Sequence, residues 1–184
     1  MSRKKRPDFP GTDTAVDVEA MIRVDHAGEY GAVRIYEGQL AVLGRRTSAA
    51  AAAVRHMAEQ EKRHLQTFDG LVNARKVRPT ALEPVWRIAG FALGAASAML
   101  GEEAAMACTA AVEEVIDKHY AAQIARLGDS DPQLKETIEA FRVEEVSHRD
   151  TAVAHGAKSA PGYRFLSESI KAGCRLAIAL SEKI

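Results

Sequence analysis

Cysteine is almost absent: Cys108 and Cys174 are the only two, and neither sits in a CxxC pair or a Cys/His cluster at metal-binding spacing. That excludes a disulfide scaffold or a zinc finger and makes a reducing compartment the default. Aromatic residues are scarce too, 5% of the 184 against 47% apolar. So thin a supply argues against a β-sandwich, whereas Ala, Leu, Ile and Val suffice to pack helices. Charge of either sign is not in excess, with Lys plus Arg at 25 and Asp plus Glu at 25. A polyanion binder needs surplus cations to neutralise phosphates, so no nucleic-acid partner is expected. No hydrophobic run is long enough to cross a bilayer: the longest uncharged one, Ile88 to Leu100, covers 13 positions where a span takes about 20. The basic opening MSRKKRPDFP is followed by no apolar segment and does not read as a secretory signal. It is expected as a solvated tail, with attraction to anionic lipid as the alternative. The length fits one domain with a sizeable core rather than two.

Proline is also sparse, at 7, 10, 79, 84, 132 and 161, and helices run where it is missing. The first long gap predicts a helix from about Val16 to Leu43, stopped by Gly44, and a second from about Ala49 to Arg75 with Thr47 or Ser48 as N-cap. A third occupies much of Pro84 to Leu127, with a break expected among Gly90, Gly94 and Gly101. Ser130 or Asp131 caps a fourth, with Pro132 in its first turn and Gly156 at its close. After Pro161 and Gly162, Leu166, Ile170, Ala177, Leu180 and Ile184 fall at helical spacing and mark an amphipathic fifth. No alternating strand pattern occurs, and the fold class is all-α.

Two ExxH strings stand out, Glu61 to His64 and Glu145 to His148. Residues three apart share a helix face, so each string offers a carboxylate and an imidazole to one point. One such string means little. Here both lie on the face that the apolar pattern buries: Val54, Met57, Glu61, His64, Phe68 on the second helix and Leu134, Ile138, Phe141, Glu145, His148 on the fourth. The first helix reads Ile22, His26, Glu29, Val33, Tyr36 and the third Met106, Ala110, Glu113, Ile116, Tyr120, each with one core-facing Glu. Glu59, Glu114 and Glu144 fall off these stripes and are expected in solvent. Glu29 precedes Glu61 by 32 positions and Glu113 precedes Glu145 by the same 32. An offset of 84 carries Glu29, Glu61 and His64 onto Glu113, Glu145 and His148. The chain reads as two helical hairpins related by a pseudo-two-fold.

Four carboxylates in a core need compensation, and no Lys or Arg lies on these stripes to supply it. Two divalent cations balance four carboxylates and two neutral imidazoles. Oxygen-rich ligands without thiolate favour iron or manganese over structural zinc, and both metals accept this set. One Glu from each of two helices and an ExxH from each of two others is the ligand set of ferritin-like di-iron and di-manganese proteins.

At these residues the chain resembles the demethoxyubiquinone hydroxylases of ubiquinone biosynthesis, small ferritin-like di-iron monooxygenases. The strings RVDHAGEYGAVRIYEGQLAVLG, QEKRHLQTF, RPTALEPVWRIAGFALG, LGEEAAMACTAAVEEVIDKHY, FRVEEVSHRD and AGCRLAIALSEKI carry the likeness, which covers about Val16 to Ile184. The resemblance implies a ferritin-like four-helix bundle with an additional C-terminal helix, residues 1–15 forming a disordered basic tail and 16–184 a single domain. It places the iron ligands, as catalytic and metal residues, on Glu29, Glu61, His64, Glu113, Glu145 and His148. It implies hydroxylation, with dioxygen, of the one unsubstituted ring carbon of a polyprenyl 3-methyl-6-methoxy-1,4-benzoquinol. Two iron ions are the implied cofactor, and NADH or a reductase the implied electron source. A bacterial cytoplasmic protein, peripheral on the cytoplasmic face of the cell membrane, is the implied setting. Partners in keeping with it are a second copy of the chain, a lipid-delivering protein or a ubiquinone-biosynthesis complex. No GxGxxG string follows a strand, so no Rossmann-type domain is expected.

The Ile88 to Leu100 run and the fifth helix are candidates for membrane contact, packing or oligomer burial being the alternatives. His26, His119 and Tyr120 are candidates to orient ligands or the ring, with partly exposed positions near the bundle ends as the alternative; Asp25 and Asp150 are expected at the surface, with acceptance from the outer nitrogen of a ligating His as their alternative role. Cys108 is expected to pack. A ferritin-like ferroxidase or iron-handling protein remains the alternative function, and a structural bundle with a vestigial site a third; the uncharged 88–100 run favours the quinol enzyme.

Overall fold

A computed structural model describes residues 17–184. Six α-helices account for nearly all of it: α1 Val18–Leu43, α2 Ala49–Arg75, α3 Glu83–Met99, α4 Glu102–Leu127, α5 Pro132–Ala154 and α6 Tyr163–Ser181. A single 3-10 turn, Ala157–Ser159, links the last two. The basic tail and the Val16 boundary read from the sequence lie outside the described residues.

Helix starts follow local chemistry. The side chains of Asp17, Ser48 and Asp131 accept from the Ala20, Ala51 and Leu134 amides, satisfying donors that the first turn leaves free. Ser48, not Thr47, and Asp131, not Ser130, take the cap positions. The expected third helix is two: it breaks at Gly101, whose φ of 123° suits a residue without Cβ, and α4 restarts there.

Helices α1 and α2 form one antiparallel hairpin and α4 and α5 the other; α3 lies along α1 and α6 along α4. The core divides around the middle of the bundle. Tyr36, Met57, Met106 and a field of alanines fill one end, and Ile22, Phe68, Tyr120, Leu127, Leu134 and Ile138 the other. Between these apolar ends the polar stripe residues meet.

Candidate metal centre

Glu29 projects from α1, Glu61 and His64 from α2, Glu113 from α4, and Glu145 and His148 from α5. None is more than 2% exposed. Ligand atoms of Glu29, Glu61, His64 and Glu145 lie within 4.8 Å of one another, and so do those of Glu61, Glu113, Glu145 and His148. Glu61 and Glu145 belong to both groups. The geometry therefore offers two adjacent cation positions, each with its own Glu and His and a shared pair of carboxylates between them.

Both imidazoles turn Nδ1 inward. His64 Nδ1 is 3.1 Å from Glu145 and 3.6 Å from Glu29, and His148 Nδ1 is 3.0 Å from Glu61 and 3.5 Å from Glu145. Their outer nitrogens are engaged: His148 Nε2 donates to the Gln60 carbonyl oxygen at 3.2 Å and His64 Nε2 to Glu144 at 3.3 Å. Gln60 Nε2 donates in turn to Glu144 at 2.9 Å. Holding the proton on Nε2 leaves the Nδ1 lone pair facing the centre. The tyrosines cross between hairpins. Tyr36 donates to Glu113 at 2.8 Å, and Tyr120 donates to Glu29.

Burial and then mutual repulsion push Glu61 and Glu113 well above the usual carboxylate range; burial raises Glu145 as well, against the pull of His64. Burial alone would depress His64, but Glu145, Glu29 and Glu61 outweigh it and raise it to about 11. His148 rises by the same balance, through Glu61 and Glu113. Lys171 is the only buried Lys or Arg among the described residues, and it serves Glu114 and Glu168. Without a cation, these side chains can be kept neutral only by holding protons.

Oxygen atoms of all four glutamates and Nδ1 of both histidines are buried without a hydrogen-bond partner. In a folded core such atoms normally find one. Donors of this kind, oxygen-rich with two imidazole nitrogens and no thiolate, fit a pair of iron or manganese ions.

An apolar cavity of about 620 Å³ lies beside the centre, walled by α1, α3, α4 and α6. Gly28 and Val112 in its wall are the chain neighbours of Glu29 and Glu113. The volume and lining are those of a small-molecule pocket. Outside it, α3 exposes Ile88 and Met99, Leu100 follows at its C-terminal cap, and α6 exposes Phe165; Leu176, also exposed, stands in the cavity wall. No helix of the described residues is long and apolar enough to cross a membrane.

Several polar expectations are corrected. Glu144, read from its phase as solvent-facing, is partly buried because the α2–α5 contact brings it to His64. Asp25 is buried and meets His119 and Gln123, neither in solvent nor at a ligating histidine, whereas Asp150 is exposed as first expected and pairs with Arg149. His26 bonds Asp69 on α2. Cys108 packs in the core as expected, and burial raises its thiol to about 12. Gln60, Gln39 and Gln123 were not singled out, although the 84-position offset pairs Tyr36 with Tyr120 and Gln39 with Gln123 as well as the ligands.

A family model described as ubiquinone biosynthesis protein COQ7 matches residues 16–181. The 3-demethoxyubiquinol 3-hydroxylase of Rhodospirillum rubrum is 56% identical over 184 residues, covering 99% of this chain and 86% of that protein. The mitochondrial NADPH-dependent 3-demethoxyubiquinone 3-hydroxylase of Mus musculus is 53% identical over 170 residues, covering 90% and 77%. The mitochondrial 5-demethoxyubiquinone hydroxylase of Saccharomyces cerevisiae is 41% identical over 185 residues, covering 92% and 79%.

Proposed function

This chain belongs to the ubiquinone biosynthesis protein COQ7 family, and on that premise we propose that it is a di-iron monooxygenase that hydroxylates the ring of a polyprenyl demethoxyubiquinol with dioxygen. The observation that carries the reading is the buried Glu/His cluster standing beside an apolar cavity. Glu29, Glu61, His64, Glu113, Glu145 and His148 would hold the two iron ions, which supply the redox chemistry that activates dioxygen.

The protein's own contribution follows from the surroundings. The cavity, open on one side, receives the aromatic head, and the bound head displaces water and strengthens the electrostatic interactions beneath it. Gly28 and Val112 bring its wall next to Glu29 and Glu113, so a ring lodged there sits beside the centre. Gln60 and Glu144 fix the imidazoles, and Tyr36 and Tyr120 fix Glu113 and Glu29. The exposed apolar side chains of α3 and α6 would touch the membrane that stores the substrate's isoprenoid tail, on the cytoplasmic face in a bacterium. Residues 16–184 would work as a single domain. The reaction consumes two electrons and two protons per dioxygen, releasing one oxygen atom as water. The mouse relative's name specifies NADPH, and a reduced nicotinamide is the donor proposed here, directly or through a reductase.

The test is to load the protein anaerobically with iron, add a short-tail demethoxyquinol, a reductant and oxygen, and weigh the quinone product. A gain of one oxygen atom is expected. Iron oxidation with no hydroxylated product would replace this reading by the iron-handling one.

A further inference from the structure

The 84-position pseudo-two-fold extends well beyond the ligands. Tyr36 and Tyr120 cross to Glu113 and Glu29, and Gln39 and Gln123 lie one turn further along. Each Gln donates to the partner hairpin: Gln39 to Thr109 Oγ1 at 3.2 Å and to the Ala105 carbonyl, Gln123 to Asp25 Oδ1 at 2.8 Å. Asp25 and Thr109 are themselves related by the offset. One half thus completes this hydrogen bond with a neutral hydroxyl, and the other with a carboxyl whose side chain is fully buried. The second break in symmetry adjoins the first. His119 places Nε2 3.1 Å from Asp25 Oδ1, while its counterpart on the other side is the apolar Ile35.

Thr109 shows that packing here does not require an ionisable group, yet burying a carboxyl is costly. The arrangement suits a different need. Adding one oxygen atom of dioxygen to a ring, RH + O2 + 2e− + 2H+ → ROH + H2O, draws two protons into a site whose substrate cavity is apolar and conducts none. The outer edge at Gln60 and Glu144 is occupied in holding the ligand imidazoles. His119 is 16% exposed and Asp25 not at all, so the pair runs from solvent inward. Asp25 lies four residues, about 6 Å of helix rise, before Glu29 on the same face of α1, a gap of the size that one water molecule can span. Its Oδ2 is buried without a hydrogen-bond partner. The groups facing Asp25 are His119, Tyr120 and Gln123 from α4 and Glu29 from its own helix. On either side of it in the chain, His26 is turned to Asp69 of α2 and Arg23 to the carbonyls of Arg78 and Glu182.

We propose that His119 and Asp25 form the proton entry to the metal centre, built into one half of the pseudo-symmetric bundle only. Protonated His119 gives its Nε2 proton to Asp25 Oδ1; the carboxylic acid group turns about its Cβ–Cγ bond, so that the proton it received faces inward and passes to water on the Glu29 side; the carboxylate turns back and His119 is reprotonated from solvent, once for each of the two protons. Burial holds the Asp25 carboxyl at about 6, well above its ordinary value and against the pull of His119 and Gln123, so the carboxyl is able to hold a proton handed to it by the imidazole it touches.

This inference rests on the hydroxylase reading, and its test separates the two. Asp25→Asn, His119→Gln and His119→Gly are compared with the wild type and with Thr109→Val, which removes the neutral counterpart. Wild-type hydroxylation tests the function; if it is missing, the proton path falls with it. In an active enzyme the Asp25 and His119 variants are expected to lose roughly tenfold or more in kcat, with the KM for quinol and the iron content held. Imidazole restores His119→Gly in proportion to its concentration, and Thr109→Val keeps its kcat. Independently of turnover, the His119 ring signal in the iron-free protein, assigned by its loss in His119→Gln, shifts at the pH where Asp25 titrates, and Asp25→Asn abolishes that inflection. Unchanged kcat and pH profile in the variants, a loss that merely tracks iron content, failure of imidazole rescue, or a His119 signal indifferent to Asp25→Asn would each overturn the path.

Discussion

A liganding histidine is only as good as the atom behind it. His64 and His148 present Nδ1 to the centre because Glu144 and Gln60 take the proton side of each ring. Removing such a partner typically weakens metal binding by roughly 10- to 100-fold. Glu144→Ala is therefore expected to lower iron affinity by about that factor in a chelator competition while leaving the helix content intact, and unaltered affinity would mean that Glu144 has no hold on His64. Asp25 obeys a different balance. Its folded value, near 6, stands above the usual 3.8, so the folded chain binds a proton that the unfolded chain has lost. Stability therefore declines as pH rises from about 4 to 6 and stays at the lower level above that. Asn resembles the protonated acid, so Asp25→Asn is expected to stabilise the protein by up to roughly 3 kcal/mol above pH 6 and by little near pH 4. Chemical denaturation at both pH values measures it. A variant no more stable at pH 8 than the wild type contradicts the buried carboxylate.

Among the helices, glycine divides into two uses. A Cβ on Gly94 would come 1.9 Å from the Ile35 carbonyl oxygen, and one on Gly38 2.2 Å from that of Phe91, so these residues permit the close approach of α1 and α3. Gly94→Ala is expected to cost about 1–3 kcal/mol through overpacking against backbone. Gly28 has nothing within 4 Å of the same position and lines the cavity. There Ala should add up to about 1 kcal/mol of helix stability while narrowing the pocket, so that thermal melts rise and the KM for quinol worsens. Equal melting temperatures for the two variants would deny the distinction. On the outer side, Phe91 and Phe165 are exposed on α3 and α6. Phe91→Asp combined with Phe165→Asp is expected to abolish co-sedimentation with phospholipid vesicles; unchanged partitioning removes the membrane role given to this face.

At the scale of the whole bundle, four carboxylates and two imidazoles share one dry centre, and protons and metal ions compete for it. Glu61, Glu113, Glu145, His64 and His148 all have raised proton affinity in the metal-free protein. For the carboxyls, stability is lost as pH rises above their ordinary values near 4.5; for the histidines, it is lost as pH climbs through their raised values, about 11 for His64. Both trends make the metal-free protein weaker at higher pH. Iron binding must expel those protons, so its affinity rises in the same direction. The melting-temperature difference between iron-loaded and iron-free protein is expected to widen from pH 6 to pH 9, with proton release on iron addition visible in weakly buffered solution. A difference that does not vary with pH would mean that the cluster does not hold the protons inferred here.

The six cluster residues were legible before any coordinates because two one-dimensional regularities coincide on them. The 3.6-residue helical period fixes which side chains share the apolar face, and the 84-position offset repeats Glu29, Glu61 and His64 as Glu113, Glu145 and His148. The first depends on backbone geometry within a helix, which each segment carries locally, and the second is a repeat that can be counted along the chain without knowing which helices meet. Caps were legible for the first of these reasons. The proximity of different helices is not a local property. Only packing decided that Glu61 and Glu145 would be common to both cation positions, that Tyr36 and Tyr120 would cross between hairpins, and that Glu144, still partly exposed, would reach His64. Only packing, too, set α3 and α6 apart far enough to enclose a cavity beside the centre and brought Asp25 to His119, 94 positions away. These are distances between residues remote in the chain, set by how side-chain volumes from several helices fit together.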